Sequence, residues 1–229
     1  MQKFDVLIVG AGMVGLTLAL SLRKTSNLSI AIADTLPLAE ITPEPEVRVS
    51  AINVASQTIF ENIDVWSTIV NTRTQAYQHM HIWDKAGIGK LDFSVNDLNS
   101  YPKNTNLGWI VENKVIRNAL WHKAKADEGI HFFTDHKLAN IAVGDSEVFA
   151  SFAAPQSTSN NIGNNMPMPI IAKLVVGADG ANSWLRQQMD IAMISRDYDH
   201  HAIVATVKCS QGHKNTAWQV FMPEGPLAF

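Results

Sequence analysis

A chain of 229 residues, 46% hydrophobic and 17% charged, carries enough apolar material for a substantial core, so it is globular with one large domain or two small ones. Its 18 Lys+Arg against 21 Asp+Glu leave a formal charge of -3, with no basic cluster of the kind that neutralises a phosphate backbone, and nucleic acid is excluded as an expected partner. The single cysteine, Cys209, excludes an internal disulfide and a thiolate zinc site, fits a reducing cytoplasm, and is read as a small buried hydrophobe.

Phe4 to Val9 is predicted as a short buried strand, because an unbroken Val-Leu-Ile-Val run ending at glycine is the pattern of a parallel sheet. The apolar run from Val6 continues to Leu22, but Gly10, Gly12 and Gly15 interrupt it. It also falls short of the roughly 20 residues of a membrane-spanning helix, so neither an anchor nor a signal peptide is expected. Met13 to Lys24 is predicted helical, with Val14, Leu18 and Leu22 four residues apart, Leu16 and Leu20 beside them, and basic residues at its end. Leu28 to Ala33 is then a second strand, and a right-handed βαβ crossover places the two in parallel.

Thr35 to Glu46 holds Pro37, Pro43, Pro45 and several acids, and reads as an extended loop leading to Arg48. From Ser50 to about Ile63 the residues Ala51, Ala55 and Ile59, with Ile52 and Phe60, set a helical period. Between Met80 and Val111 short strand-like pieces follow (81–83, 91–93 and 109–111), broken by glycine, asparagine and proline, and they suggest an inserted antiparallel sheet. Glu112 to Ala126 returns to a helical pattern, and strands are expected around Phe132, Ile141 and Phe149. Gln156 to Pro169, rich in Ser, Asn, Gly, Pro and Met, reads as a hairpin tip, and Leu174 to Val176 as another buried strand. From about Ile191 the stretches Ala202 to Val207 and Trp218 to Met222 look like strands that rejoin the inserted sheet. One domain is thus expected at 1–73 and 111–190, and a second at 74–110 and 191–229. His200 and His201, adjacent on such a strand, would point to opposite faces, so no metal site is expected.

The hexapeptide Gly10-Ala11-Gly12-Met13-Val14-Gly15 lies between a strand and a helix, the context that gives a dinucleotide fingerprint its meaning. Gly10 suits the tight turn, Gly12 the approach of backbone to a pyrophosphate, and Gly15 close helix–strand packing, while the helix N-terminus at Met13 and Val14 offers N–H groups and a positive dipole end. Asp34 ends the second strand nineteen residues after Gly15, where a carboxylate can accept from a ribose hydroxyl. These residues alone leave NAD and FAD equally open.

Leu174 to Arg186 runs from a strand into Ala178-Asp179-Gly180-Ala181-Asn182-Ser183. In purely physical terms this is a strand, an Asx-type turn at Asp179 and a helix. It also resembles the Asp-Gly motif of flavoprotein aromatic hydroxylases, where the aspartate lies near the FAD ribose and pyrophosphate. The likeness extends over nearly the whole chain, through Arg48-Val49-Ser50-Ala51-Ile52-Asn53, His81-Ile82-Trp83-Asp84, Val111-Glu112-Asn113 and Asp197-Tyr198-Asp199-His200-His201. These segments are similar to the flavin hydroxylases of ubiquinone biosynthesis, of the UbiI/VisC type related to UbiH and UbiF.

The resemblance implies an α/β fold: a Rossmann-like FAD-binding domain of the GR2, or para-hydroxybenzoate hydroxylase, type, with a partial antiparallel sheet as substrate domain. It implies FAD contacts at Gly10, Gly12, Met13, Val14, Gly15, Asp34, Asp179 and Gly180, an approach of Arg48 to the flavin, and a polar FAD contact at Glu112. It further implies a cytoplasmic monooxygenase that takes NAD(P)H and O2 and hydroxylates a polyprenylated phenol. Other ubiquinone-biosynthesis enzymes, a second copy of the chain and a membrane surface met through the lipid substrate are the partners it leaves open. Such hydroxylases are longer and carry a third flavin motif, Gly-Asp followed by a proline-containing stretch, which this sequence lacks. A C-terminally truncated chain with exposed strand edges and weak FAD retention is therefore expected.

Overall fold

A computed structural model describes residues 1–35, 37–38, 40–98, 105–134, 137–153 and 169–229. In chain order, β1 (Gln2–Val9), α1 (Met13–Thr25) and β2 (Ile30–Asp34) open the fold. β3 (Val49–Asn53), α2 (Val54–Asn62), α3 (Trp66–Thr72), β4 (Thr74–Tyr77), β5 (His79–Asp84), β6 (Lys90–Ser94) and β7 (Gly108–Glu112) follow. α4 (Asn113–Lys125), β8 (Ile130–Thr134), β9 (Leu138–Val143), β10 (Val148–Phe152), β11 (Ile170–Gly177), α5 (Trp184–Gln188), β12 (Thr216–Met222) and β13 (Gly225–Ala228) complete it. Two compact units emerge, Met1–Ile41 with Ile116–His201, and Thr42–Val115 with Ala202–Phe229. The first break falls at 41/42 rather than after residue 73 because β3, β4 and β7 pair among themselves in a small sheet of their own.

The first unit is built on a six-stranded sheet of order β8-β2-β1-β11-β10-β9. β8, β2, β1 and β11 run parallel, and β10 and β9 continue the sheet antiparallel. The inner strands are apolar on both faces, as a covered parallel sheet requires: Leu7, Ile8, Ile30 and Ile32 are fully buried. Phe4, Val9, Ala33, Phe152, Ile170 and Leu185 share one cluster, extended by the stacked Phe133 and Phe152 rings at 5.3 Å. Helix α1 buries Gly15, Leu16, Ala19 and Leu20, so of the expected apolar positions Leu16 and Leu20 are buried and Val14, Leu18 and Leu22 are not. Val14, in the first turn, is 72% exposed, so the helix opening is left free of the core.

In the second unit a three-stranded antiparallel sheet, β3-β7-β4, stands beside a four-stranded sheet of order β13-β12-β5-β6. Several expectations are corrected here. Residues 49–53 form a strand, not the start of a helix, because they pair with β7 along Val49↔Glu112 to Asn53↔Gly108. The helix starts at Val54, where the Asn53 side chain accepts from the Ser56 N–H at 2.8 Å. The 109–111 piece joins this small sheet rather than the one holding β5 and β6. The inserted sheet is mixed, since β12 pairs parallel to β5 while β6 and β13 pair antiparallel.

No strand forms at 202–207: the stretch is exposed, with Ile203 at 96%, and no ladder among the described residues includes it. Cys209, expected to be buried, stands exposed just beyond that stretch. The expected hairpin tip at 156–169 lies almost entirely outside the described residues, although β10 and β11 on either side of it do pair antiparallel. No helix among the described residues is long and apolar enough to cross a membrane.

At the edge of the parallel sheet remote from the strand C-termini, Asp5 of β1 ties three segments together. Its carboxylate accepts from Lys173 Nζ at 2.7 Å and from the Ser29 N–H and hydroxyl at 2.8 and 2.9 Å. These donors, Lys173 first, lower its pKa from 3.8 to about 2. A depressed carboxylate stabilises the fold above its unfolded value, and that contribution is lost as pH falls through the folded value. In urea titrations, Asp5→Asn is therefore expected to have a lower midpoint than wild type at neutral pH, with the gap closing as pH drops from about 4 to about 2. A gap that does not change over that range would show that the Asp5 charge is not what holds these segments.

Candidate cofactor site

Parallel pairing sets the site. β1 is in register with β2 at Val9↔Ala33 and with β11 at Val9↔Gly177, so the loops leaving all three strands emerge at one edge of the sheet. That edge, outside the carboxyl ends of parallel strands, is where open α/β sheets bind ligands. The loops are locked to one another by backbone bonds: Gly10 N donates to Ala33 O at 2.8 Å and Ala178 N to Val9 O at 2.7 Å.

Gly10 turns at φ +108°, and a Cβ there would collide with the Ala178 carbonyl, so only glycine lets the fingerprint loop lie against the loop after β11. A Cβ at Gly15 would strike the Gly10 carbonyl. Gly12 differs, since a Cβ there would meet nothing within 4 Å. This open space lies at the N-cap of α1, which has no side-chain cap and no acidic residue in its first turn. N–H groups without a side-chain cap and the positive end of the helix dipole thus lie beside open space, an arrangement suited to a pyrophosphate.

Asp34 closes the loop from β2, its Oδ2 accepting from the Ala11 N–H at 2.6 Å. A carboxylate has acceptor capacity for about four hydrogen bonds, so this contact is compatible with a ribose hydroxyl as a further partner. Asp179 turns back onto its own segment: Oδ1 accepts from the Ser183 hydroxyl at 2.6 Å and Oδ2 from Leu185 N at 3.1 Å. Ser183 in turn caps α5, accepting from Arg186 N at 3.0 Å. What the second motif presents to the fingerprint loop is therefore the Ala178–Asp179 backbone, with Gly180 carrying the chain away at φ +85°.

Arg117, which sequence reasoning did not single out, donates from Nε to Ala11 O at 2.9 Å and from Nη1 to Pro37 O at 3.1 Å. Its guanidinium also lies over the Trp121 ring at 5.3 Å. No motif in the sequence marks it: its helical neighbours are the polar Asn113 and Lys114 and the apolar Leu120 and Trp121, a mixed setting that is equally that of a solvated position.

The structure brings Gly10, Gly12, Met13, Val14, Gly15, Asp34, Asp179 and Gly180 together in the first unit; Arg48 and Glu112 belong to the second. There Asn113 N donates to Arg48 O at 3.0 Å, beside the Val49↔Glu112 pair. Glu112 is buried and engaged by protein partners, with Arg73 Nε and Nη2 donating to its two oxygens at 2.5 and 2.9 Å and Glu46 N at 2.8 Å. Burial raises its pKa, but the Arg73 and Glu46 hydrogen bonds outweigh that effect and hold the carboxyl below its ordinary value. Arg73 is a second residue that sequence reasoning did not single out.

Comparison with known proteins agrees with this geometry. The chain is 29% identical over 98% of its length to ubiquinone biosynthesis monooxygenase COQ6, mitochondrial, of Dictyostelium discoideum, and 31% identical over its full length to 3-demethoxyubiquinol 3-hydroxylase of Escherichia coli K12. It covers 49% and 54% of those proteins, and so spans about half the length of the curated relatives it matches. Among solved structures, p-nitrophenol 4-monooxygenase PnpA of Pseudomonas putida DLL-E4 superimposes with a TM-score of 0.62 at 20% identity, over 82% of this chain and 44% of that one. A flavoprotein/dehydrogenase from Cytophaga hutchinsonii gives 0.65 at 14% identity, over 99% of this chain and 55% of that one. Both likenesses support the fold. A family model described as an FAD binding domain matches residues 3–224, so the chain belongs to the FAD-binding-domain family, and of the two dinucleotides its fingerprint admits, FAD is the one to assign.

Proposed function

We propose that the chain is the cofactor-binding part of a flavin-dependent monooxygenase that hydroxylates the aromatic ring of a polyprenylated phenol in ubiquinone biosynthesis. The observation that carries the reading is the meeting of the fingerprint loop and the Ala178–Asp179 turn at the open N-terminus of α1. The likeness to a Dictyostelium ubiquinone biosynthesis monooxygenase and an E. coli 3-demethoxyubiquinol 3-hydroxylase supports the substrate class. The net reaction balances as an aromatic C–H, O2, NAD(P)H and a proton giving the phenol, NAD(P)+ and water. FAD, when bound, supplies the redox chemistry that links the nicotinamide donor to O2.

The residues of this chain do the holding. The N–H groups at the start of α1 face the pyrophosphate, Asp34 faces the adenosine ribose, and Arg117 keeps the Ala11 carbonyl turned aside so that the loop stays open. A cytoplasmic location belongs to the same proposal and rests on the one free cysteine, Cys209.

The test is an absorbance titration of the chain with FAD, followed by gel filtration and an assay with NAD(P)H and a short-chain prenylphenol. Co-eluting flavin with an oxidised-flavin spectrum is expected, and hydroxylated product would establish turnover by these residues. Flavin retention without product would make the chain a cofactor-binding unit alone, and tight NAD binding without flavin would overturn the reading.

The cradle makes a sharper forecast. Gly12→Ala should fold with wild-type thermal stability, because its Cβ meets nothing, yet bind FAD about tenfold more weakly, as the loss of roughly 1.4 kcal/mol of pyrophosphate contact would require. Gly10→Ala should lose at least 1–3 kcal/mol of stability in denaturant titration, the order of cost for a strained backbone, before the collision with Ala178 is counted. Equal behaviour of the two variants would refute the assignment of Gly12 to the ligand and Gly10 to the fold.

A further inference from the structure

Residues 42–48 form a strap leading into β3, and none of them is buried; Val47 is 43% exposed. With no apolar side chain seated in the core, the position of the strap depends on polar contacts, and these converge on Glu112. Glu112 is the one buried charged residue among those described. The Arg73 guanidinium that forks across its carboxylate also reaches the strap, donating from Nη1 to Pro43 O at 2.8 Å and from Nη2 to Thr42 O at 3.1 Å, with Glu44 O at 3.5 Å. Glu112 Oε2 takes the Glu46 N–H at 2.8 Å, and the Glu46 carboxylate accepts from Lys114 N at 3.1 Å. The strap ends at Arg48, whose carbonyl is held by Asn113 N.

We propose that Arg73 is a clamp residue: with Glu112 as its buried counter-charge, it fixes the otherwise unanchored 42–48 strap up to Arg48. Geometry explains why arginine is needed. A planar fork with five donors serves two carboxylate oxygens and the strap carbonyls at once, whereas a lysine ammonium is a single point charge that could neutralise Glu112 but not span both. The same contacts remove Glu112 from direct service to the flavin.

Arg73→Lys in the full chain separates these roles, because it keeps a positive charge beside Glu112 while releasing the carbonyls of Thr42, Pro43 and Glu44. Hydrogen exchange at the Glu46 amide, followed by NMR, is expected to accelerate about ten- to hundredfold, the factor equivalent to losing a hydrogen bond to a charged group. The Ile110 and Val111 amides of β7 should keep their rates. The double variant Arg73→Gln with Glu112→Gln, which leaves no buried charge unpaired, should free the strap in the same way.

Wild-type exchange at Glu46 in both variants would overturn the clamp.

Discussion

The meeting of the two cofactor motifs depends on β1 lying parallel to β11. The two strands are adjacent from Gln2↔Ile170 to Val9↔Gly177, although more than 160 residues of chain separate them. Because they run the same way, both shed their following loops at the same edge, and the Ala178 N–H closes onto Val9 O. An antiparallel arrangement would carry the Asp179 turn to the opposite edge. The three fingerprint glycines then divide the work: Gly10 and Gly15 permit close approach within the protein, and Gly12 leaves room for something outside it.

A different principle governs the second unit near its junction with α4. There a buried carboxylate, which would be costly alone, is matched by a forked guanidinium and a backbone N–H. Removing one partner from such a pair strands the other, which is why the arrangement acts as a fixed point for the exposed chain around it. Polar groups thus order the surface strap, while in the first unit apolar burial orders the sheet. The two units reach definite loop positions by opposite means.

How much of this could be read in the sequence follows from the range of the interactions. β1, the glycine loop, α1 and β2 are consecutive, and their signal is local: an apolar run, glycines at fixed offsets, a helical period. The β11–turn segment was legible for the same reason. Residues 50–53 were misread because Ala51, Ala55 and Ile59 imitate a helical repeat, while the pairing of β3 with β7 spans more than fifty residues; Asn53 as a helix cap was the local clue. The parallel β5–β12 pairing had no local signature at all. Glu112 was picked out as a polar site residue, but its partner Arg73 lies thirty-nine residues earlier with no motif around it.

The distance between β1 and β11 also bears on how the chain is made. At about 5–20 residues per second of synthesis, β11 emerges roughly ten to thirty seconds after β1. During that interval β1 can pair with β2, whose crossover is short, but its other edge, the Val-Leu-Ile-Val run, is an open strand rich in β-branched residues. Such an edge is a template for pairing with other chains, and a sheet closed by so remote a contact folds slowly. The strand that unites the two halves of the cradle is therefore also an aggregation-prone edge of the nascent chain until β11 covers it.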